Sequence, residues 1–231
     1  MSNATIVIPV YNEEEIIVGN TESLVHFLDK SGSRYEILIC SNGSTDGTLE
    51  KGRFLEEKFP GKVRFFHLGK RGVGLAFEKM VKEASFNNII SVDMDLSIDL
   101  NFIPKCLTLL SDHSIVVGSK KLGMQKRSFF RLLASNTFIF LVKSLLGLNF
   151  HDYSIAAKGY RKKDIIERLP EIDHGSSYVV EIIYFVKQKG LRIIETPVYC
   201  VDTRKSKFNI YNEVIYRFKN LLKLWFSERV L

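Results

Sequence analysis

The amino-acid sequence predicts an α/β fold with a mostly parallel central sheet flanked by helices. Short apolar strand patterns alternate with helical patterns three times before residue 95. The strand pattern at 89–92 is rich in β-branched residues, as are strands covered on both faces. Of the 231 residues, 45% are hydrophobic and 26% charged, which is typical of a globular protein and argues against disorder. Since no repeat or linker interrupts the chain, we expect one domain over 1–231.

Four strands are expected in the first half, at 5–10, 35–40, 62–67 and 89–92. The first is expected to stop near Pro9, because proline cannot donate to a central ladder. A helix that enters after Glu13 and continues through Leu28 follows the first strand, and a cluster of turn residues at 41–48 follows the second. Two more helices are expected, one ending near residue 59 and one over 75–84.

The second half adds a strand at 114–119, a helix at 129–148, a late strand region at 190–201 and a terminal helix from about 210. The helix at 129–148 has a wide apolar surface, so it either packs in the core or lies in a membrane interface. Arg131, Asn136 and Lys143 interrupt it, which argues against a transmembrane span. In the terminal helix, positions 211, 214, 215, 218, 221, 222 and 225 are expected to form one apolar face.

The formal net charge of +7 favours an anionic partner. A phosphorylated substrate or an anionic membrane surface fits better than nucleic acid, because no nucleic-acid-binding motif accompanies the charge. Cys40, Cys106 and Cys200 are odd in number and far apart, as expected for core residues in a reducing compartment. The chain also starts directly in a strand pattern without a secretory signal, so a cytoplasmic location is expected.

Two carboxylates follow the strand at 89–92, in the sequence Asp93-Met94-Asp95. A lone Asp-x-Asp is often only a solvated turn. At the carboxyl end of a parallel strand, however, it can direct both carboxylates to one Mg²⁺ or Mn²⁺ ion, which then bridges to substrate phosphates. The first two strand-to-helix turns end at the same edge of the sheet. Together these turns predict a nucleotide cleft that contains Tyr11, Glu13, Asn42, Asp46, Asp93 and Asp95.

Several ordered motifs resemble those of family 2 glycosyltransferases of the GT-A fold, and most closely those of the dolichyl-phosphate mannose/glucose synthases. They are IVIPVYNE at 6–13, STDGT at 44–48, KRGVGLA at 70–76, DMDLS at 93–97 and VVGSK at 116–120. LLGL at 145–148 with Asp152, ETPV at 195–198 and SKF at 206–208 follow. The resemblance implies a Rossmann-like nucleotide-binding half over about 1–120 and an acceptor- and membrane-facing half over about 121–231.

The resemblance also implies roles for individual residues. Asp93 and Asp95 would bind the metal, with Ser97 near the ion, and Lys120 would join the two aspartates in catalysis. The nucleotide-sugar would contact Pro9, Tyr11, Glu13, Asn42, Asp46, Lys70 and Met94, with Arg204 and Lys207 closing over the phosphates from a late loop. Relatives usually carry two aspartates where Ser41 and Asn42 stand here. The base, guanine or uracil, therefore stays open.

The implied reaction moves mannose or glucose from a GDP- or UDP-hexose to a polyprenyl (dolichyl-type) phosphate by metal-assisted inverting displacement. A phosphate acceptor is already an anion and needs no general base. For Glu181 two interpretations stay open: it either faces the acceptor or pairs with a nearby cation. The alternatives are a soluble enzyme that glycosylates a glycan hydroxyl, and a non-catalytic membrane-docking or scaffold protein.

A lipid acceptor requires contact with the cytoplasmic face of a membrane, where the protein is expected to be peripheral. Four cations in the terminal helix would supply about 4 kcal/mol. That corresponds only to millimolar affinity. Insertion of Phe218, Leu222, Trp225 and Phe226, or a membrane-anchored partner subunit, would have to supply the rest.

Overall fold

The computed structural model describes residues 3–120, 129–200 and 210–227, with the side chains of 129–133 and 210–211 left out. Within these residues seven strands form one sheet, in the order β3-β2-β1-β4-β6-β5-β7. The strands are β1 Ala4–Val10, β2 Tyr35–Asn42, β3 Val63–Leu68, β4 Asn88–Ser91, β5 Ile115–Ser119, β6 Lys158–Arg161 and β7 Ile193–Pro197. The predicted α/β fold with a mostly parallel sheet is therefore confirmed.

Helices cover both faces of this sheet. They are α1 Ile17–Asp29, α2 Thr48–Lys58, α3 Val73–Glu83, α4 Phe102–Leu109, α5 Phe129–Leu146, α6 Lys162–Ile165, α7 Tyr178–Gln188 and α8 Ile210–Ser227, with a 3₁₀ turn at Leu169–Glu171. One hydrophobic core packs α1, α2 and α4 against the sheet, and the other packs α3, α5, α7 and α8. In the second core Phe77 contacts the rings of Tyr160 and Tyr178, with centroids 5.2 and 4.8 Å away.

Strand β6 is the departure from parallel order. It lies between β4 and β5 and runs antiparallel to both, with its first residue, Lys158, opposite Ser91 of β4 and Val117 of β5. The start of β6 therefore lies at the edge of the sheet where the parallel strands end. As a result, the segment that precedes β6 reaches the same edge as Asp93.

Strand β1 ends at Val10, next to Pro9 as expected, but the proline is not what ends it, because β1 pairs with β2 along its full length. The Val7 carbonyl accepts the Val92 N–H and so faces β4. Backbone groups alternate along a strand, so Pro9 also faces β4. Pairing between β1 and β4 has ended by this point, at Val7 and Ser91. Proline therefore removes no ladder hydrogen bond here.

The terminal helix α8 does not have the single apolar face that we expected. Phe218 and Trp225 pack against the core, where Phe218 lies 5.6 Å from the ring of Phe138 in α5. On the opposite side of α8, Ile215, Leu222 and Phe226 are exposed. Both sides of α8 are thus apolar, and among the residues that the structure describes only the inner side is covered.

Helix α5 packs in the core through Phe138, Val142 and Leu146, which supports the first of its two interpretations. Phe140 on its outer side is exposed. Within the described ranges no helix combines the length and the apolar character needed to cross a bilayer.

Candidate functional site

Asp93 and Asp95 lie in a tight turn directly after β4. The Leu96 N–H donates to the Asp93 carbonyl at 3.2 Å, and Leu96 adopts a left-handed backbone with φ of 47°. Asp95 Oδ1 accepts the Ser97 N–H at 3.0 Å. The side chain of Met94 is buried, and its carbonyl accepts a hydrogen bond from Asn20. The turn therefore presents two carboxylates, and the Met94 side chain is turned into the core.

Asp93 is exposed to solvent, yet it is surrounded by protein atoms on its inner side. Desolvation, followed by the negative charge of Asp95, raises the pKa of Asp93 to about 6, against the attraction of Lys120 and Lys158. The Ala156 N–H, which the β4–β6 register places beside Asp93, also lowers the pKa of this carboxylate. Asp93 is therefore a carboxylate at the carboxyl edge of the sheet that is open to solvent on one side and lies against the segment that leads into β6 on the other.

Lys120 and Asp152 are the residues that the second half of the chain contributes to the site. Lys120 directly follows β5, and its N–H donates to Asp152 Oδ2 at 3.4 Å. Asp152 is buried, and its Oδ1 accepts the N–H and hydroxyl of Ser154 and the N–H of Ile155. Although burial alone opposes ionisation, the charge of Lys158 and the bonds from Ser154 hold the pKa of Asp152 below its usual value. Lys120 thus reaches the site, with its backbone fixed by Asp152.

Tyr11 and Arg71, both from the first half of the chain, stack on each other at the same edge of the sheet, and Arg71 is exposed there. The Arg71 guanidinium carbon lies 3.8 Å from the centre of the Tyr11 ring, a stacked cation–π contact. A glycine is needed at position 43, because a Cβ there would lie 2.9 Å from the Arg71 nitrogen. The loop after β3 therefore lies directly against the ends of β1 and β2, where a base is expected to bind.

Asn42 and Ser41 are occupied inside the protein. The Asn42 amide donates to the Val10 carbonyl at 2.8 Å and accepts the Gly72 N–H at 3.4 Å. The Ser41 hydroxyl donates to Ser44 at 2.9 Å and is also 3.3 Å from His67 Nδ1. Both side chains are buried. The two residues that replace the usual aspartates therefore join neighbouring loops to one another.

Asp46 also makes bonds within the protein. Its Oδ1 accepts the N–H of Thr48 at 3.1 Å and the Thr48 hydroxyl at 2.5 Å, and its Oδ2 accepts the Glu14 N–H at 3.3 Å. Burial opposes ionisation, but these bonds hold the pKa of Asp46 below its usual value. The Thr48 hydroxyl also accepts the Glu13 N–H at 2.8 Å. Asp46 thus fixes the first two strand-to-helix turns against each other.

The other predicted residues lie in different settings. Pro9 belongs to β1, and Glu13 directly follows the Tyr11 turn. Lys70 is exposed and lines a cavity of about 290 Å³ beside α3, on the outer side of the same loop as Arg71. Arg204 and Lys207 lie outside the described residues. Within the described part of the chain, the structure brings together Asp93, Asp95, Ser97, Lys120 and, across the cleft, Tyr11.

A divalent cation fits the Asp93–Asp95 turn. The described residues contain no cluster of three or more His, Cys, Asp or Glu side chains suited to a metal. Mg²⁺ does not need such a cluster, because it is commonly bound through one or two carboxylates plus substrate phosphates and water. Asp95 Oδ1 accepts the Ser97 N–H, and no group within the described ranges donates a hydrogen bond to Asp95 Oδ2. The two carboxylates therefore suit a cation that arrives with a diphosphate.

Comparison with known proteins gives the family. A model of glycosyl transferase family 2 matches residues 5–169, a stretch that includes Asp93, Asp95, Lys120 and Asp152. The chain is 28% identical over 201 residues to a dolichol-phosphate mannosyltransferase from Pyrococcus furiosus, covering 84% of this chain and 55% of the relative. It is 31% identical over 166 residues to an undecaprenyl-phosphate 4-deoxy-4-formamido-L-arabinose transferase from Pectobacterium atrosepticum, covering 70% and 50%. The chain thus spans about half the length of these curated relatives.

Solved structures show the same fold. A glucosyl-3-phosphoglycerate synthase from Mycobacterium tuberculosis, in complex with phosphoglyceric acid, superposes with a TM-score of 0.72 at 15% identity, covering 96% of this chain and 79% of the neighbour. The same enzyme in complex with Mn²⁺, UDP-glucose and glycerol 3-phosphate gives a TM-score of 0.69 at 14% identity, with the same coverage. These likenesses establish the GT-A fold. Combined with the family match over the strands that carry Asp93, Asp95 and Lys120, they show that the chain belongs to glycosyl transferase family 2.

Proposed function

We propose that this chain transfers one hexose from a nucleotide-sugar to a polyprenyl phosphate by metal-assisted inverting displacement. The observation that carries the proposal is the Asp93–Asp95 turn at the carboxyl edge of the sheet, with Lys120 at the end of a strand on the same edge. Sequence similarity to a dolichol-phosphate and an undecaprenyl-phosphate transferase supports the lipid acceptor.

Asp93 and Asp95 would hold Mg²⁺ or Mn²⁺. When bound, the cation neutralises the diphosphate of the donor and stabilises it as a leaving group. Lys120 adds a positive charge on the opposite side of the cleft, where the leaving diphosphate and the acceptor phosphate are both anionic. Its ammonium keeps this charge but does not offer the two-pronged hydrogen bonding of an arginine.

The reaction needs one bond formed and one broken. An oxygen of the acceptor phosphate attacks the anomeric carbon, the bond from that carbon to the diphosphate oxygen breaks, and the electron pair leaves with the nucleoside diphosphate. Because the acceptor oxygen is already anionic, no proton has to be removed. Glu181 accepts the Asp173 N–H, a bond within the protein that speaks against Glu181 facing the acceptor.

The donor is proposed to be a GDP- or UDP-hexose, with mannose or glucose as the sugar. The fold neighbour that holds Mn²⁺ and UDP-glucose supports uracil and manganese as the first candidates to test. Asn42 and Ser41 do not offer the carboxylate that relatives carry at this turn. Tyr11 and Arg71, which stack at the open end of the same pocket, are therefore the side chains best placed to contact a base.

The outer side of α8 is proposed to contact the cytoplasmic face of a membrane. Ile215, Leu222 and Phe226 are exposed there, and Lys219 and Lys223 lie among them. An apolar strip with interspersed lysines suits the headgroup layer of an anionic bilayer. A membrane-anchored partner subunit would strengthen this contact and is a separate proposal.

Calorimetric titration tests the donor site. UDP and GDP are titrated with and without Mn²⁺ into the wild type, into Asp95→Asn and into the control Asp112→Asn, whose carboxylate is exposed beyond α4. We expect one nucleotide to bind in a metal-dependent way to the wild type and the control, and much more weakly to Asp95→Asn.

Failure of the folded wild type to bind either nucleotide would overturn the proposal in favour of a scaffold protein. If one nucleotide does bind, transfer of radiolabelled hexose from it to a polyprenyl phosphate or to a soluble glycan then distinguishes the lipid acceptor from the hydroxyl acceptor.

A further inference from the structure

We propose that Lys158 is a positioning residue that fixes the segment 152–158 behind Asp93 and thereby orients this carboxylate toward the metal. The inference rests on the metal site of the proposed function. It assigns a task to a lysine for which the sequence pattern offers no signal, at the first position of β6.

Lys158 is an unusual residue to bury. Its exposed fraction is 1%, and an ammonium group removed from water is costly unless it is paired and hydrogen-bonded. Its Nζ donates to the Ile155 carbonyl, and the carboxylates of Asp152 and Asp93 attract it through space. Lys158 therefore interacts both with the backbone of the segment 152–158 and with Asp93, which lies next to that segment.

Asp152 holds the other end of the same segment. Its Oδ1 accepts two N–H groups and one hydroxyl from Ser154 and Ile155, at 2.8 to 3.2 Å. Lys158 and Asp152 thus both bond to Ile155, one through its carbonyl and one through its N–H. The Ile155 carbonyl is thus fixed by a buried cation, and the Ile155 N–H is fixed by a buried anion.

The residue that follows Ile155 makes the contact to the site. Lys158 pairs with Ser91 in the antiparallel β4–β6 ladder, so the same register places Ala156 beside Asp93, where its N–H favours the charged form of the carboxylate. Because the Ile155 carbonyl and the Ala156 N–H belong to the same peptide plane, a bond that fixes the first also orients the second. Lys158 is itself fixed by the pairing of β6 with β4 and β5, so it connects the sheet to the orientation of Asp93.

The competing interpretation is that Lys158 only fills space in the core. A methionine of similar length would then replace it without effect on the site, since exchanging a buried charge for a hydrophobic residue is often neutral for stability. Lys162 provides a matched control. Its Nζ also donates to backbone carbonyls, of Lys82 and Ala84, but at a position outside the candidate site.

The test compares Lys158→Met, Lys162→Met and the wild type. Loss of a residue that orients a metal ligand typically lowers metal affinity by roughly 10- to 100-fold. We therefore expect Lys158→Met to weaken Mn²⁺-dependent nucleotide binding at least tenfold, leave metal-free nucleotide binding unchanged, and speed hydrogen exchange of the Ala156 amide. Lys162→Met is expected to change neither.

Wild-type metal-dependent binding and an unchanged Ala156 exchange rate in a folded Lys158→Met protein would overturn the inference. If that variant does not fold, Asp152→Asn, which weakens the other end of the segment, decides by the same two measurements. If the wild type binds no nucleotide with metal, the proposed function fails. In that case the exchange rate of Ala156 still reports whether Lys158 fixes the segment.

Discussion

The uncovered side of α8 allows a quantitative prediction about membrane binding. We consider the double substitution Leu222→Gln with Phe226→Gln, which removes apolar surface without adding charge. The two side chains are 46% and 58% exposed, and Ile215 on the same side is 53% exposed. Since about half of each side chain already contacts protein, only the other half is available to a bilayer.

Full burial of such a side chain is worth about 1.5–3 kcal/mol, so the exposed half contributes about 1 kcal/mol. Ile215, Leu222 and Phe226 together then supply about 3 kcal/mol. Lys219 and Lys223 add about 1 kcal/mol each near an anionic surface. The total of about 5 kcal/mol corresponds to a Kd on the order of 0.2 mM. Losing about 2 kcal/mol in the double variant weakens binding about 30-fold.

Co-sedimentation with vesicles containing anionic phospholipid measures this affinity. Phe54→Gln is the matched control, because Phe54 is 48% exposed but lies on α2. We expect the control to bind as the wild type does and the double variant to stay in the supernatant. Equal binding of all three proteins would refute the assignment of this face. In neutral vesicles the wild type should also bind about 30-fold more weakly, because the two lysines no longer contribute about 2 kcal/mol.

Three further predictions concern stability and reactivity. Gly74→Ala should lower the free energy of unfolding by about 1–3 kcal/mol in denaturant titrations, because its Cβ would lie 2.0 Å from the Asp173 carbonyl. Gly19→Ala, which meets nothing within 4 Å, should instead be neutral or stabilising. Burial, and then the charge of Asp173, raises the pKa of Glu181 above 4.5. The wild type should therefore lose stability relative to Glu181→Gln as the pH rises through the raised pKa of Glu181. Melting temperatures of the two proteins that change in parallel with pH would contradict this. Burial raises the pKa of Cys40 to about 12 and that of Cys106 further, so both thiols should react with iodoacetamide only after unfolding, as mass spectrometry can show.

Most strands could be predicted from the sequence because local pattern determines them. The apolar runs at β1, β2 and β3 agree with the structure within about two residues. Strand β6 offers no such pattern: it has four residues and begins with a lysine whose burial depends on partners elsewhere in the chain. Whether Pro9 removes a hydrogen bond from the sheet likewise depends on where the neighbouring strand β4 ends, and the residues around Pro9 do not specify this.

The candidate site divides in the same way. Asp93 and Asp95 are predictable because the strand before them and the motif itself are local. Arg71 is visible only as one cation in a glycine-rich loop, and its stacking on Tyr11 joins two loops that are distant in the chain. The inward turn of Asn42 could not be inferred either, because its partners, Val10 and Gly72, come from the end of β1 and from the loop after β3.

The antiparallel insertion of β6 has a consequence for the order in which the molecule assembles. Strands β1 to β4 pair with one another, so this half of the sheet can form as soon as the first 91 residues are available. Strand β5 pairs with β6 and β7, and β6 alone connects it to β4. Such distant pairings form late, because the loop must close before they contribute stability. Asp93 and Asp95 would therefore be in place before the segment 152–158, and a nascent chain would complete the proposed metal site only in the last stage of folding.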